Sequence, residues 1–340
     1  MKGLVNGIGN IGTTLLSLLV DYKKELEIEE VIGLKNSVVS DWNKEEITII
    51  KEKGVRLIEK QKLSENELKE ILDSVDYIMD ANTNSIGLNN KKLYSDLPNL
   101  KGCSAQGSEK GFGIPFMSGI NNESIVKEKF VQIVSCNTHS LSTLLSVFSD
   151  SNFANIKEAD FVIVRRSEDI GNHQRLVAAN VVSRHLDSHI GTHHAIDVKD
   201  LFRTINLEVP VQSSDITTPS QLMHSVRFNI KLSSSMYEES MFELIDKNDL
   251  VSTTNKFDSN VIFELGRRYS KYGRLYSHVI INSNNILFDK DENRIKGWGF
   301  IPQEGNTIIS TLHAFLLQVN PDLAKEKINF IKNELIRKSW

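Results

Sequence analysis

The sequence predicts an α/β protein: a doubly wound parallel sheet, then a second, mixed α+β catalytic domain. Three observations predict it. Short apolar runs alternate with helical stretches in the first part of the chain. A glycine-rich turn joins the first run to the first helix. After about residue 150 the texture changes to longer β-rich runs with interleaved helices. The 340 residues suffice for about two domains. A formal net charge of −4 is too small to draw the protein onto nucleic acid or an anionic membrane, so neither is an expected partner. No run approaches the ~18 apolar residues of a membrane span. Two cysteines, Cys103 and Cys136, are too few for a secreted disulfide framework. No basic stretch followed by an apolar one opens the chain, and a reducing, cytoplasmic location is expected.

Taken in order, Lys2–Asn6 reads as a strand, and Asn10–Asp21 as a helix with Ile11, Leu15, Leu18 and Leu19 on one face. Residues 30–34 read as a second buried strand. Ser64-Glu65-Asn66-Glu67 is a capping box that opens a helix running through Leu72. Strands follow at 76–80, 100–104 and 131–134. In the second part, 159–166, His224–Leu232, 275–281 and 298–301 read as strands, and roughly 238–245, 258–270 and 307–318 as helices. The segment 323–338 is amphipathic and helical. The expected division is a dinucleotide-binding domain at 1–136 and a substrate domain at 137–306. The helices of 307–340 are expected to pack back on the first domain.

Gly7-Ile8-Gly9-Asn10-Ile11-Gly12 follows a strand and starts a helix. Gly7 permits the tight turn, Gly9 lets the backbone approach a pyrophosphate, and Gly12 lets helix and strand pack closely. The phosphate would sit on the helix's exposed amides. This is the fingerprint of a Rossmann-type domain; the alternative is a glycine turn used only for packing. NAD enzymes usually carry an acid at the end of the second strand. Here Leu34-Lys35-Asn36-Ser37 stands in that place and the next acid is Asp41. Lys35 suits a 2′-phosphate, so NADP is the expected cofactor and NAD the alternative, unless Lys35 is simply a solvated loop residue.

Ser135-Cys136-Asn137-Thr138-His139 follows a buried strand and precedes an apolar helical run, 141–148. A cysteine there sits at a helix N-terminus, whose dipole lowers a thiol's pKa and favours the nucleophilic thiolate. The same amides would hold a developing oxyanion. The alternative is an inert core cysteine. His185, His189 and His193 have i, i+4, i+8 spacing, with His194 and Asp187 nearby, and on one helix they would suit Zn²⁺. Gly191 and Thr192 interrupt such a helix, and no metal is expected.

Several separated motifs resemble the archaeal-type (class II) phosphorylating glyceraldehyde-3-phosphate dehydrogenases. They are the segment 5–12; Asp80 with Ile86-Gly87-Leu88-Asn89-Asn90; Gln106-Gly107-Ser108-Glu109-Lys110; Val134-Ser135-Cys136-Asn137-Thr138; Val164-Arg165-Arg166; Thr192-His193-His194 with Asp197-Val198; Pro219 with Leu222-Met223-His224; and Gln303-Glu304. Their shared order spans nearly the whole chain. The resemblance implies that Cys136 attacks an aldehyde carbon, that His224 is the general base, and that inorganic phosphate cleaves the resulting thioester. It implies a sugar-phosphate substrate bound by Ser135, Asn137, Thr138, His193 and His194, with Arg166 for a phosphate group. It implies cofactor contacts from Asn10, Ile11, Gly107, Arg165 and Gln303, a role in glycolysis, and a homotetramer built through the second domain's sheet. The chain departs from the family pattern at His139-Ser140, Ala195-Ile196, Ser225-Val226, Pro302 and Gly305. Two alternatives stay open. One is a related cysteine-dependent enzyme of the aspartate-semialdehyde or N-acetylglutamyl-phosphate reductase type. The other is a silent, dinucleotide-binding paralogue.

Overall fold

A computed structural model describes residues 1–41, 43–83, 85–107, 109–150, 152–167, 178–234 and 238–340. Ser108 of the 106–110 motif lies outside the described residues. In chain order the elements begin with β1 (Lys2–Asn6), α1 (Asn10–Asp21), β2 (Glu30–Lys35), α2 (Lys44–Glu52), β3 (Arg56–Glu59), α3 (Glu65–Asp73), β4 (Tyr77–Asp80), α4 (Ile86–Ser95), β5 (Gly102–Ala105), β6 (Ile114–Phe116) and β7 (Phe130–Ile133). There follow α5 (Cys136–Phe148), β8 (Ile156–Arg166), β9 (Val181–Val182), α6 (His193–Arg203), β10 (Val211–Thr218), β11 (His224–Leu232), α7 (Glu238–Lys247) and β12 (Val251–Thr254). The last are α8 (Ser259–Tyr269), β13 (Val279–Asn282), β14 (Leu287–Asp289), β15 (Arg294–Ile301), α9 (Ile308–Val319) and α10 (Pro321–Leu335). Two compact units result. Met1–Ser118, Asn122–Val134 and Ile308–Phe330 form the first; Gly119–Asn121, Ser135–Thr307 and Ile331–Trp340 form the second. No helix among the described residues is long and apolar enough to cross a membrane.

The first unit holds a seven-stranded sheet in the order β3-β2-β1-β4-β5-β7-β6, parallel throughout. Its central strands are covered on both faces, which is why Leu4, Val5, Val31, Ile32, Ile78 and Met79 form near-continuous apolar runs. This is a Rossmann-type doubly wound sheet. Its strand order reverses between β1 and β4, and sheets of this kind hold ligands beyond the strand ends at that point. The turn there requires glycine. Gly7 has φ +99°, and a Cβ on it would stand 2.9 Å from the backbone of Ala81 and Asn82. A Cβ on Gly12 would stand 2.0 Å from the Gly7 carbonyl oxygen. At Gly9, by contrast, a Cβ meets nothing within 4 Å. The capping box opens α3 as expected: the Glu67 N–H donates to Ser64 Oγ at 3.3 Å, and the Ser64 N–H to Glu67 Oε2 at 2.8 Å.

The second unit is built on a mixed sheet in the order β12-β13-β15-β11-β8-β10-β9, with β14 on β15. β11 alternates strictly: His224, Val226, Phe228, Ile230 and Leu232 are buried, and the residues between them only half so. Val226, Phe228, Ile230 and Leu232 join Leu141, Leu144, Leu145 and Phe148 of α5 in one apolar core. β11 runs antiparallel to both β8 and β15, pairing Ser225 with Val164 and His224 with Ile301. The first residue of β11 is thereby set beside the last residues of its two neighbours.

Some expectations need correction. The strand expected at 275–281 covers only Val279–Asn282; Leu275 and Tyr276 are buried outside it. The helix expected over 323–338 ends at Leu335, because the last residues pair with β12: Thr253 N–H donates to the Lys338 carbonyl at 2.8 Å. Helices α2, α4 and α6 and strands β3, β6, β9, β10, β12 and β14 went unread. Replacing Gly12 by Ala should cost about 3 kcal/mol through the clash with Gly7, whereas Gly9→Ala should cost under about 1 kcal/mol. Urea unfolding of the two variants checks this; equal stabilities would contradict the turn geometry.

Candidate active site

Helix α5 opens at Cys136. Ser135, at φ −67° and ψ 163°, is its N-cap, and its Oγ accepts from the Thr138 N–H at 3.2 Å. The Thr138 hydroxyl lies 2.9 Å from the same oxygen. Asn306 holds the other side of this turn, donating to the carbonyls of Cys136 (3.0 Å) and His278 (3.1 Å). Cys136 is half-buried, while Cys103 is fully buried in the first unit, where burial pushes its thiol well above the usual range. Neither forms a disulfide.

Helix α6 opens at His193 with Thr192 as N-cap. Ser213, reaching over from β10, accepts from the Ala195 N–H at 3.1 Å. This puts His193 and His194 in the first turn, ring centroids 3.9 Å apart. The Asn137 side-chain nitrogen lies 3.3–3.4 Å from both ring nitrogens of His194. His194 Nε2 stands 3.2 Å from Asp215 Oδ2, and Arg165 stands 3.9 Å from Asp215 Oδ1. Burial would raise the Asp215 carboxyl, but the bonds from His194 and Ser183 and the Arg165 charge hold it below its usual range. Burial, and then the neighbouring His194, lower His193 to about 4.

A second group lies at the shared end of β8, β11 and β15. His224 is buried, and its Nδ1 accepts from the Arg166 backbone N–H at 2.9 Å. Gln303 lies against the same residue, its Oε1 2.9 Å from the His224 N–H and its Nε2 2.6 Å from Nδ1. The Arg166 guanidinium is held by Glu304 at 2.8 Å and by the Leu222 carbonyl at 3.1 Å, and Glu304 also binds Arg274. Burial first, then Arg166, Arg165 and His194, push His224 well below the usual histidine range, against Asp215.

In the first unit, the end of β2 carries no acid. Lys35 is buried, not solvated, and its Nζ donates to Ser37 Oγ at 2.9 Å. Asn36 bridges Asn6 and Asn82, both at 2.8 Å, and a pocket opens over Asn36, Lys60, Gln61, Asn82, Ile86 and Asn90. The open space at Gly9 and the lack of a side-chain cap on α1 leave room for a pyrophosphate on the α1 amides. Asn10, Ile11 and Gly12 form the first turn of that helix, and Gly107 lies just past β5 with φ +76°. Glu109 accepts from the N–H groups of Ser85 and Leu88 and so caps α4 from a distance. Asp80 binds Tyr94, Asn90 and Asn82. These residues fit a dinucleotide.

The structure thus gathers Asn137, His193, His194 and Arg165 around Asp215, and Arg166, His224 and Gln303 at one strand junction. It does not gather the histidine stripe. Asp187 and Gly191 form a bridge before α6 starts, so His185 and His189 share no helix face with His193, and His185 turns to Ser214 at 3.0 Å. The ligand atoms of His193, His194 and Asp215 do lie within 4.8 Å of one another. Asp215 and Asn306 went unnoticed in the sequence, and Glu304 was noted only as part of a motif, with no role given to it. The signal for Asp215 was an acid at an inward-facing position of an alternating strand.

A Rossmann-type unit followed by a mixed-sheet unit with a capped cysteine defines a two-domain, dinucleotide-enzyme architecture. No protein-family model matches the chain. It is 22% identical to the glyceraldehyde-3-phosphate dehydrogenase of Sulfolobus acidocaldarius over 86% of this chain and 85% of that one. It is 23% identical to the enzyme of that name from Saccharolobus solfataricus, covering 85% and 84%. Against the one from Methanococcoides burtonii it is 23% identical, covering 96% of each. Over most of its length the chain is thus similar to archaeal proteins named glyceraldehyde-3-phosphate dehydrogenase.

The buried histidines give a stability prediction. His193, His224 and His278 are all lowered in the fold, burial being the main cause, while the unfolded chain titrates near 6.5. Below 6.5 the unfolded chain therefore binds more protons, and stability falls as pH drops from 6.5 toward 4. The melting temperature should drop between pH 7 and pH 5; a flat profile would contradict this protonation pattern. Ser135→Ala should cost about 1 kcal/mol through the lost cap, measured by chemical denaturation at pH 7.

Proposed function

We propose that the chain is a phosphorylating glyceraldehyde-3-phosphate dehydrogenase working through Cys136, with NADP as its cofactor and NAD as the alternative. The observation that carries this reading is the opening of α5. A half-buried cysteine stands at a capped helix N-terminus, in the same unit as a cluster of histidines and arginines. The Cys136 Sγ attacks the aldehyde carbon, and the first-turn amides receive the oxygen. Asn137, His193 and His194 line the substrate, with Ser135 and Thr138 holding the turn. Arg165 is better placed than Arg166 to meet a phosphate, because Glu304 and the Leu222 carbonyl already hold the Arg166 head. His224 serves the reacting oxygen. Inorganic phosphate then cleaves the thioester to an acyl phosphate.

A bound nicotinamide dinucleotide would supply the hydride acceptor. Gly7, Gly9, Asn10, Ile11 and Gly12 would hold its pyrophosphate, Lys35 with Ser37 a 2′-phosphate, and Gly107 its remaining contacts. A homotetramer and a cytoplasmic location belong to the same reading. The commitment of Arg166 to Glu304 favours a second one: the same thiol chemistry on a different aldehyde.

The test is reduction of NADP and, separately, NAD by purified protein with glyceraldehyde 3-phosphate, with and without inorganic phosphate, beside Cys136→Ser. Phosphate-dependent turnover lost in the variant is expected. Turnover that survives Cys136→Ser would refute the reading, and activity only with another aldehyde would select the second. Lys35→Met should lower kcat/KM for NADP about tenfold or more and leave NAD nearly unchanged.

A further inference from the structure

Just past the end of β2, the carboxamide of Asn36 is oriented by a chain of hydrogen bonds that starts at a buried carboxylate. Asp80, at the end of β4, is 1% exposed. Its Oδ1 accepts from the Asn82 backbone N–H at 3.1 Å and from Asn82 Nδ2 at 2.9 Å. Its Oδ2 accepts from the Tyr94 hydroxyl at 2.7 Å and from Asn90 Nδ2 at 2.9 Å. With its proton committed to Asp80, the Tyr94 oxygen accepts from Asn6 Nδ2 at 2.5 Å. Asn82 Nδ2 also faces the Asn6 backbone carbonyl at 3.3 Å, a group that only accepts. The nitrogen ends of Asn6 and Asn82 are thus both used on this side, and their side-chain oxygens face Asn36. Asn36 Nδ2 donates one hydrogen to each, at 2.8 Å. Both of its hydrogens are spent, so Oδ1 alone is left to meet a ligand. That oxygen has no protein partner among the described residues. Gln61 Nε2 holds the Asn36 backbone, donating to its carbonyl at 3.2 Å, and Asn36 borders the pocket that Lys60, Gln61 and Asn82 also line.

We propose that this relay, rooted at Asp80 and running through Tyr94, Asn6 and Asn82, holds Asn36 as a fixed hydrogen-bond acceptor that selects the adenosine 2′-hydroxyl of NAD. The inference rests on the dinucleotide site of the function proposed above and says how that site tells its two cofactors apart. In doubly wound sheets an acid in this place accepts from that hydroxyl, and its negative charge repels a 2′-phosphate. Asn36 offers the acceptor without the charge. A 2′-hydroxyl donates to it. A 2′-phosphate, itself an acceptor, gains nothing from it and is left to Lys35 with Ser37. An unpinned asparagine would turn its nitrogen toward the phosphate. This one is held, because a flip sets its oxygen against those of Asn6 and Asn82 and leaves both without a donor, which costs more than one new hydrogen bond returns. Asn36 is thus a specificity-determining residue, and Asp80, Tyr94, Asn6 and Asn82 are positioning residues.

The experiment is fluorescence titration of the full-length protein with NADH, with NADH lacking the adenosine 2′-hydroxyl, and with NADPH. The wild type should bind NADH about fivefold more tightly than the 2′-deoxy form, and in Asn36→Ala that ratio should fall to about one. Relative to NADH, NADPH should gain about fivefold in the variant. A ratio near one in the wild type, or a ratio kept in Asn36→Ala, overturns the proposal. The relay is read separately in the free protein, from proton–nitrogen NMR of the Asn36 side-chain amide, identified by its loss in Asn36→Ala. Its hydrogens should exchange slowly; exchange as fast as that of an exposed asparagine overturns the relay. Tyr94→Phe cuts the arm through Asn6, so it should speed that exchange and lower the NADH ratio; no change in either overturns the part given to the relay. Should Asn36→Ala not fold, the wild-type ratio still decides, a value near one overturning the proposal. NADH binding that depends on Asn36 in a protein inactive on glyceraldehyde 3-phosphate keeps the proposal and removes the functional reading. Turnover with NADH binding indifferent to Asn36 does the reverse, and binding of no dinucleotide overturns both.

Discussion

The second unit depends on the pairing of β11 between β8 and β15. That register sets His224 at the start of one strand, Arg166 at the end of another and Ile301 at the end of the third. The turn leaving β15 then brings Gln303 and Glu304 onto the same spot. A slip of one residue would turn every inward side chain of β11 outward, taking His224 away from Gln303 and Val226, Phe228 and Ile230 away from the core. Packing and candidate chemistry are therefore fixed by the same hydrogen-bond ladder.

The charges at this junction are nested. Glu304 lies between Arg166 and Arg274, all three well shielded from water. Removing one partner from such a group leaves an uncompensated buried charge, which costs about 3–5 kcal/mol. Glu304 holds a left-handed backbone, φ 65°, that a glutamate adopts only under such constraint. Holding the Arg166 head in this way also fixes its backbone, whose N–H aligns the His224 ring. Asp215 organises the neighbouring group, facing His194 on one side and Arg165 on the other.

How far the sequence could be read follows from where each element finds its stabilisation. β11 was legible to the residue because its apolar alternation is intact and two-sided pairing needs nothing else. The start of α5 was legible because its cap, Ser135, is local. α4 was not, because Glu109, which caps it, lies 24 residues from Ser85. β10 was missed because Ser213, Asp215 and Thr217 occupy its inward positions, so the hydrophobic signal of a strand is absent where the polar cluster forms. The histidine spacing suggested a helix face, but the turn through Gly191, φ +88°, delays the helix until His193. The partners of Glu304 and Asn306 gave no local sign, since they lie far away in sequence.

In the proposed chemistry Cys136, set on the first turn of α5, acts as a reactive thiolate. The direct measurement is the alkylation rate of each cysteine in the native protein between pH 5 and 9, followed by peptide mass spectrometry. Cys136 is expected to alkylate rapidly at neutral pH, with a midpoint below the ordinary thiol value of about 8.5, while buried Cys103 stays unmodified. Slow alkylation of both cysteines, or a Cys136 midpoint at or above that of an ordinary thiol, would contradict it.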